Sequence, residues 1–274
     1  MKFTLAHSPD ADDAFMFTAL AQGKIDTGEY SFTHVLRDIE TLNRAALEGV
    51  YDISAISFHS YPYVADNYVL LSCGASVGDG YGPLVVVRGD VQEGFEPATV
   101  AVPGEMTTAY LALKLWRPVV KTVVMPFDRI GEAVNAGEVE GGLLIHEGQL
   151  TYLREGLRKV IDLGAWWKEE YGLPLPLGGN VLHRRHAERA AEINSLLRKA
   201  IAWALDFREE GLKHALSYAR GLEKAEADRF VGMYVNAWTL DLGEQGRLAV
   251  DELLGRGYDA GIIKKQPSLE WVTS

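Results

Sequence analysis

Apolar positions along the chain change period several times, and each change marks an element. Phe3 to Ala6 reads as a short strand, and His7-Ser8-Pro9-Asp10-Ala11-Asp12-Asp13 as the polar loop after it. Ala14 to Leu20 opens a helix that stops near Gly23. Tyr30 to Leu36 alternates with the period of two that a strand requires. Asp38 to Gly49 returns to helical spacing, with an aspartate at its start and a glycine at its end. Asp52-Ile53-Ser54-Ala55-Ile56-Ser57 is then a strand that ends on a hydroxyl. This β-α-β-α-β order predicts a doubly wound α/β sheet. Ligands of such sheets bind beyond the carboxyl ends of the strands. The ends at Ser8 and Ser57 fall on one edge.

The pattern continues with a short helix at Tyr61 to Val64 and a strand from Tyr68 to Cys73. Gly74 to Gly82 holds glycines at 74, 78, 80 and 82 without dinucleotide-loop spacing, and reads as a mobile loop. Pro83 to Asp90 is a strong strand. Composition breaks at Gly89 to Pro97 and near Gly179 divide the chain into two α/β lobes: residues 1–88 with 181–274, and residues 89–180. In the second, Thr99 to Val102 is a strand and Pro103-Gly104-Glu105-Met106 a turn. Thr107-Thr108 begins a helix that Arg117-Pro118 ends. Val119 to Pro126 is another strand. Ile130 to Ala136 reads as a helix capped by Gly137. After it, Leu143-Leu144-Ile145 has the unbroken apolar character of a strand buried in a parallel sheet, and stops on His146. Trp166-Trp167 and Pro174 to Gly179 form a return, with Asn180 to His183 leading back to the first lobe. From Glu188 onward the spacing is helical, and Arg247 to Gly255 is a last helix.

Composition narrows the function classes. The 274 residues are 47% hydrophobic and 24% charged, which suits a globular chain able to bury a core without staples. The net charge of −11 argues against nucleic acid and anionic membranes as partners. Cys73 is alone, so no intrachain disulfide forms, and it reads as a small buried residue. No Cys/His pair stands at zinc-ligand spacing. No apolar run approaches the ~18 residues of a membrane span. Met1 to Ala6 is too short for a signal sequence, so a cytoplasmic location is expected.

Two places carry candidate chemistry. The strand, glycine turn, threonine pair and helix around Thr107-Thr108 make an anion site, because free N–H groups leave a helix start beside two hydroxyls. The simpler reading is that one threonine caps the helix. His146, at a strand end, is held rigidly, and imidazole with an unperturbed pKa near 6.5 suits a base at neutral pH. Glu147 points to the opposite face, so a backbone carbonyl or a hydroxyl such as Ser57 is expected to orient the ring. Asp12 and Asp13 suit a helix start, where the dipole favours acids, or else line the crevice. Asp10, Asp12 and Asp13 do not read as a magnesium site. His183, His186 and His214 read as surface or capping residues, and His34 and His59 receive no role.

Two lobes, two crossings and a helical tail resemble the type II periplasmic-binding-protein fold. Within it, Asp38-Ile39-Glu40-Thr41-Leu42-Asn43, Val102-Pro103-Gly104 with Thr107-Thr108-Ala109-Tyr110, Gly137-Glu138-Val139-Glu140 leading to Ile145-His146-Glu147, Asp162-Leu163-Gly164-Ala165-Trp166-Trp167, Leu173 to Gly178 and Tyr234-Val235-Asn236-Ala237 resemble the 1,4-dihydroxy-6-naphthoate synthases of the futalosine route to menaquinone. The resemblance spans nearly the whole chain. It implies a cofactor-independent carbon–carbon lyase acting on cyclic dehypoxanthine futalosine. His146 is then the proton acceptor, and Ala55, Ile56, Ser57, Thr107 and Thr108, with Ser8 and Asp13, contact a small aromatic carboxylate. Two departures touch the expected cleft. The family loop Ser-Pro-Cys-Pro-Asn-Asp-Thr reads Ser8-Pro9-Asp10-Ala11-Asp12-Asp13-Ala14 here, and Ala55 replaces a polar residue. These departures keep a sister chorismate-dehydratase activity as an alternative. A solute receptor of the same fold is a further one, and it would need export.

Overall fold

The computed structural model describes residues 1–219 and 222–272. Two mixed sheets organise it. The first has β1 (Lys2–His7), β2 (Ser31–Leu36), β3 (Ile53–Ser57), β4 (Tyr68–Leu70) and β5 (Ser76–Gly78). The second has β6 (Leu84–Arg88), β7 (Thr99–Val102), β8 (Lys121–Val124), β9 (Gly141–Leu144) and β10 (Leu157–Asp162). The long β11 (Leu175–His183) returns to the first. The first sheet runs β2-β1-β3-β11-β4, with β5 also on β11, and the second runs β10-β6-β9-β7-β8.

β1 is parallel to β2 and β3, and β7 is parallel to β8 and β9. The carboxyl ends of β1, β3, β7 and β9 therefore lead into the loops that face one another between the sheets. β9 differs from the expected parallel strand on one side, where it pairs antiparallel with β6. Burial does not distinguish the two pairings, because every residue of β9 is buried either way.

Sheet membership corrects the expected lobe boundaries. β6 belongs to the second sheet, so the chain crosses before Leu84, not at Gly89 to Pro97. β11 joins the first sheet from Leu175, not from residue 181. The composition break at Gly89 to Pro97 is a largely exposed turn that follows the buried apolar run Leu84 to Val87 of β6. Exposure, not a lobe change, explains its polarity.

Gly74 to Gly82 is no open loop. It contains β5, and Gly74 donates its N–H to the Thr239 carbonyl at 2.7 Å. Gly164 lies so close to the Tyr81 carbonyl that a Cβ would sit 1.9 Å from its oxygen, and Gly82 packs against Gly164. At these two positions the glycines serve backbone-to-backbone packing at the crossing. Trp166-Trp167, expected in an irregular return, lies in a helix Leu163–Tyr171, with Asp162 accepting from Gly164 and Ala165 N–H at its start.

Three apolar clusters fill the fold. One joins the Thr108–Trp116 helix to both sheets and to the Gly243–Asp259 helix. A second packs the helical tail on β1 and the Ala11–Met16 helix. The third packs the Ile130–Ala136 helix on β6 and β9. Cys73 lies in the second cluster, where burial pushes its thiol up to about 12 and leaves it unreactive at neutral pH.

Candidate active site between the sheets

A cavity of about 120 Å³ opens between the sheets. Ser8, Asp13, Ala55, Ile56, Ser57, Thr107, Thr108 and His146 all line it. Residues separated by up to 138 positions are brought to one cavity because the parallel strands of both sheets end there.

His146 lies two residues past β9, not at its last position. Its φ is +53°, in the left-handed region that non-glycine residues seldom adopt. The Gly148–Thr151 helix begins after it. This corner turns the side chain out of the sheet. Its Nδ1 lies 2.9 Å from Asp10 Oδ2, and the ring meets Phe127 edge-on at 5.0 Å. Asp10 therefore orients the ring, and the expectation of a carbonyl or Ser57 is corrected. Ser57 is instead tied to Asn43. Sequence reasoning passed over Asp10 because the contact joins the loop after β1 to the corner after β9, across the two sheets. His146 Nε2 is buried and has no hydrogen-bond partner among the described residues.

The electrostatics follow from this pairing. Burial opposes a charge on His146, but the Asp10 carboxylate, with Glu147 and Asp12 nearby, outweighs it and raises the ring to about 9. Burial, together with the neighbouring Asp10, raises Asp12 to about 7. Burial, with Asp12 and Asp10, also holds Asp13 well above the carboxylate range, although the Ser8 N–H donates to its Oδ2 at 2.7 Å. Asp10, with Asp12 and Asp13 of the first helical turn, thus forms a cluster around one imidazole. The Ala11–Met16 helix does begin at Asp10, but no aspartate side chain caps it.

Across the cavity, the expected threonine helix is present as Thr108–Trp116, with Thr107 as its cap. The Thr107 hydroxyl accepts from Tyr110 N–H at 3.1 Å and donates to the Gly104 carbonyl at 2.8 Å. Thr108 Oγ1 accepts from His59 N–H at 3.1 Å. The Ser8 hydroxyl is buried in the wall without a partner among the described residues. Ala55 and Ile56 contribute the apolar floor. Asp12 lines the wall too, and Gln149 and Tyr234, bonded at 2.6 Å, are wall residues to which the sequence reading gave no role. Among the described residues no three His, Cys, Asp or Glu side chains are grouped to hold a metal ion.

Of the remaining histidines, His183 caps a turn through Arg185 N–H, and His186 Nε2 bonds Asp52 at 2.7 Å. His7 Nε2 and His34 Nδ1 meet at 3.0 Å behind the Ser8 loop. No helix of the described residues is long and apolar enough to cross a membrane.

Comparison with known proteins agrees with the architecture. The protein of Candida albicans reported to exhibit the generic periplasmic-binding-protein fold superposes with a TM-score of 0.65 at 12% identity, over 100% of this chain and 99% of that one. A crystal structure of an Archaeoglobus fulgidus protein gives a TM-score of 0.91 at 46% identity, over 96% and 98% of the two chains. Two proteins named 1,4-dihydroxy-6-naphtoate synthase are similar along nearly their whole length. That of Thermus thermophilus is 42% identical over 96% of each chain, and that of Streptomyces coelicolor 38% identical over 94% of each. A family profile described as menaquinone biosynthesis matches residues 3–259. With that span and those identities, the chain belongs to the menaquinone-biosynthesis family, on a periplasmic-binding-protein fold.

Proposed function

We propose that the chain is a carbon–carbon lyase that converts cyclic dehypoxanthine futalosine to 1,4-dihydroxy-6-naphthoate, releasing the ribose-derived part. The observation that carries this reading is His146, bound through Nδ1 to Asp10 with Nε2 unpartnered at the cavity. The name that the two relatives share supports the product. Elimination needs a proton removed from a hydroxyl or an acidic carbon of the substrate. With Asp10 holding Nδ1–H, the neutral ring offers its Nε2 lone pair to that proton. The imidazolium formed is stabilised by the same carboxylate, and it can return the proton to the departing fragment. The helix start at Thr108 and the cleft hydroxyls face the substrate carboxylate. Proton transfer and anion binding by side chains suffice for the step. A soluble, nucleoside-derived substrate accords with a cytoplasmic enzyme.

The test is to incubate the purified protein with cyclic dehypoxanthine futalosine and follow the masses of the products. Appearance of the naphthoate is expected, and unchanged substrate would overturn the reading. A parallel incubation that dehydrates chorismate would move the assignment to the sister branch, to which the departures at Asp12, Ala14 and Ala55 draw attention.

A further inference from the structure

Elements of the first sheet, not of its own, hold the Thr107-Thr108 helix start. From the Ile39–Leu47 helix, Glu40 Oε2 accepts the Met106 N–H at 3.2 Å, and Asn43 Nδ2 donates to the Met106 carbonyl at 3.3 Å. From the turn after β3, the His59 N–H donates to Thr108 Oγ1, and its ring Nδ1 donates to the Thr107 carbonyl, both at 3.1 Å. Burial holds the His59 ring down at about 4, so it is a neutral donor at physiological pH. Gly104 admits this grip, because a Cβ there would lie 2.3 Å from Glu40 Oε2. Asn43 also holds Ser57. The Ser57 N–H donates to Asn43 Oδ1 at 2.8 Å, which fixes the amide's orientation, and Nδ2 donates to Ser57 Oγ at 3.1 Å.

The polarity of these bonds sets what the pocket can receive. A hydroxyl that accepts from a fixed N–H keeps its own hydrogen to donate. Ser57 and Thr108 are both in this state, and neither hydrogen has an acceptor among the described residues. They are 4% and 1% exposed, and both line the cavity. The Thr107 hydroxyl is in the opposite state, because its hydrogen goes to the Gly104 carbonyl.

We propose that Asn43 and His59 are positioning residues that present the Ser57 and Thr108 hydroxyls as a pair of donors to one ligand carboxylate, with the Thr107 hydroxyl withheld for the helix cap. This deepens the proposed function and rests on its carboxylate-bearing substrate. It assigns affinity for the carboxylate to two residues that need not touch it.

Calorimetry with 2-naphthoate, and with 2-naphthol as the ring without the acid, tests it in the native protein, Asn43→Asp, Ser57→Ala and the double variant. Asn43→Asp is isosteric but takes the Ser57 hydrogen for itself. Native protein is expected to prefer 2-naphthoate, and Asn43→Asp to weaken it by roughly 10- to 100-fold with 2-naphthol unchanged. Because Asn43 acts through Ser57, the Asn43→Asp loss should shrink in the Ser57→Ala background, which a purely structural defect would not produce. His59→Phe, which keeps the backbone bond to Thr108, covers the case in which Asn43→Asp does not fold, and is expected to weaken 2-naphthoate by roughly 3- to 10-fold. Native-like naphthoate affinity in a folded Asn43→Asp, or in His59→Phe if the former does not fold, overturns the proposal even if cyclic dehypoxanthine futalosine is turned over. A native protein that binds no naphthoate overturns it as well. Selective loss of naphthoate without any turnover sustains it while the lyase reading falls.

Discussion

At the residue scale, one contact decides the chemistry of His146. Paired with Asp10, the ring is raised to about 9, so the base form is scarce at neutral pH and grows as pH rises. kcat/KM should therefore climb through pH 7 to 9 and reach half its plateau near 9, not near the unperturbed 6.5. Asp10→Asn removes the charge that favours imidazolium, and should move this limb to lower pH. A limb that stays in place would show that Asp10 does not tune the base. His146→Asn is the informative variant at the base itself, because asparagine tolerates the left-handed backbone that His146 occupies. It should retain the fold and ligand binding while kcat falls at least about 10²-fold, measured at saturating substrate. The two threonines separate on the same principle. Thr108→Val should weaken the carboxylate by about 1–3 kcal/mol in a titration. Thr107→Val should lower the stability of the protein by about 1 kcal/mol in denaturant, the cost of a lost helix cap.

At the scale of elements, the unit that delivers His146 was legible in outline. The helix Ile130–Ala136 is present, and Gly137 closes it at φ +73°, as its spacing and glycine predict. Gly142 shows what local pattern leaves out. A Cβ there would lie 2.5 Å from Ile130 and 2.9 Å from Val134, so the helix packs on β9 only because this position is bare. Gly142→Ala should cost about 1–3 kcal/mol by overpacking, read by thermal or denaturant unfolding, and should lower activity by moving the His146 corner. Unfolding at the native midpoint would show that the helix can shift without cost. The glycines from 74 to 82 depart from the expected mobile loop for a related reason. Glycine spacing alone does not distinguish a free loop from backbone packed on backbone, and Gly82 on Gly164 is the latter.

Over the whole molecule, the two sheets are joined across the cavity by Asp10 to His146, by Tyr234 to Gln149 and by Arg154 to Glu226. The first two lie in the cavity wall, and Gln149 is one helical turn beyond His146. Tyr234→Phe removes the buried bond at a cost of about 1 kcal/mol and should widen the unliganded protein, seen as a larger radius of gyration in small-angle scattering that 2-naphthoate reverses. Identical scattering curves would show that the cavity closes without this bond. The same scale separates what the chain's pattern determined from what it did not. Period, caps and apolar runs were enough to place β1, β3, β7, the threonine helix and the strand before His146, because each depends on neighbours a few residues away. They were enough, too, to put candidate residues at strand ends. The crossing points, the partner of His146, the grip of Asn43 and His59 on the helix start, and the Tyr234 to Gln149 bond were decided only by tertiary structure. Each joins residues 48 to 136 positions apart, or rests on the approach of two backbones. Such contacts leave no periodic trace, because burial in the shared cavity selects them and local backbone preference does not.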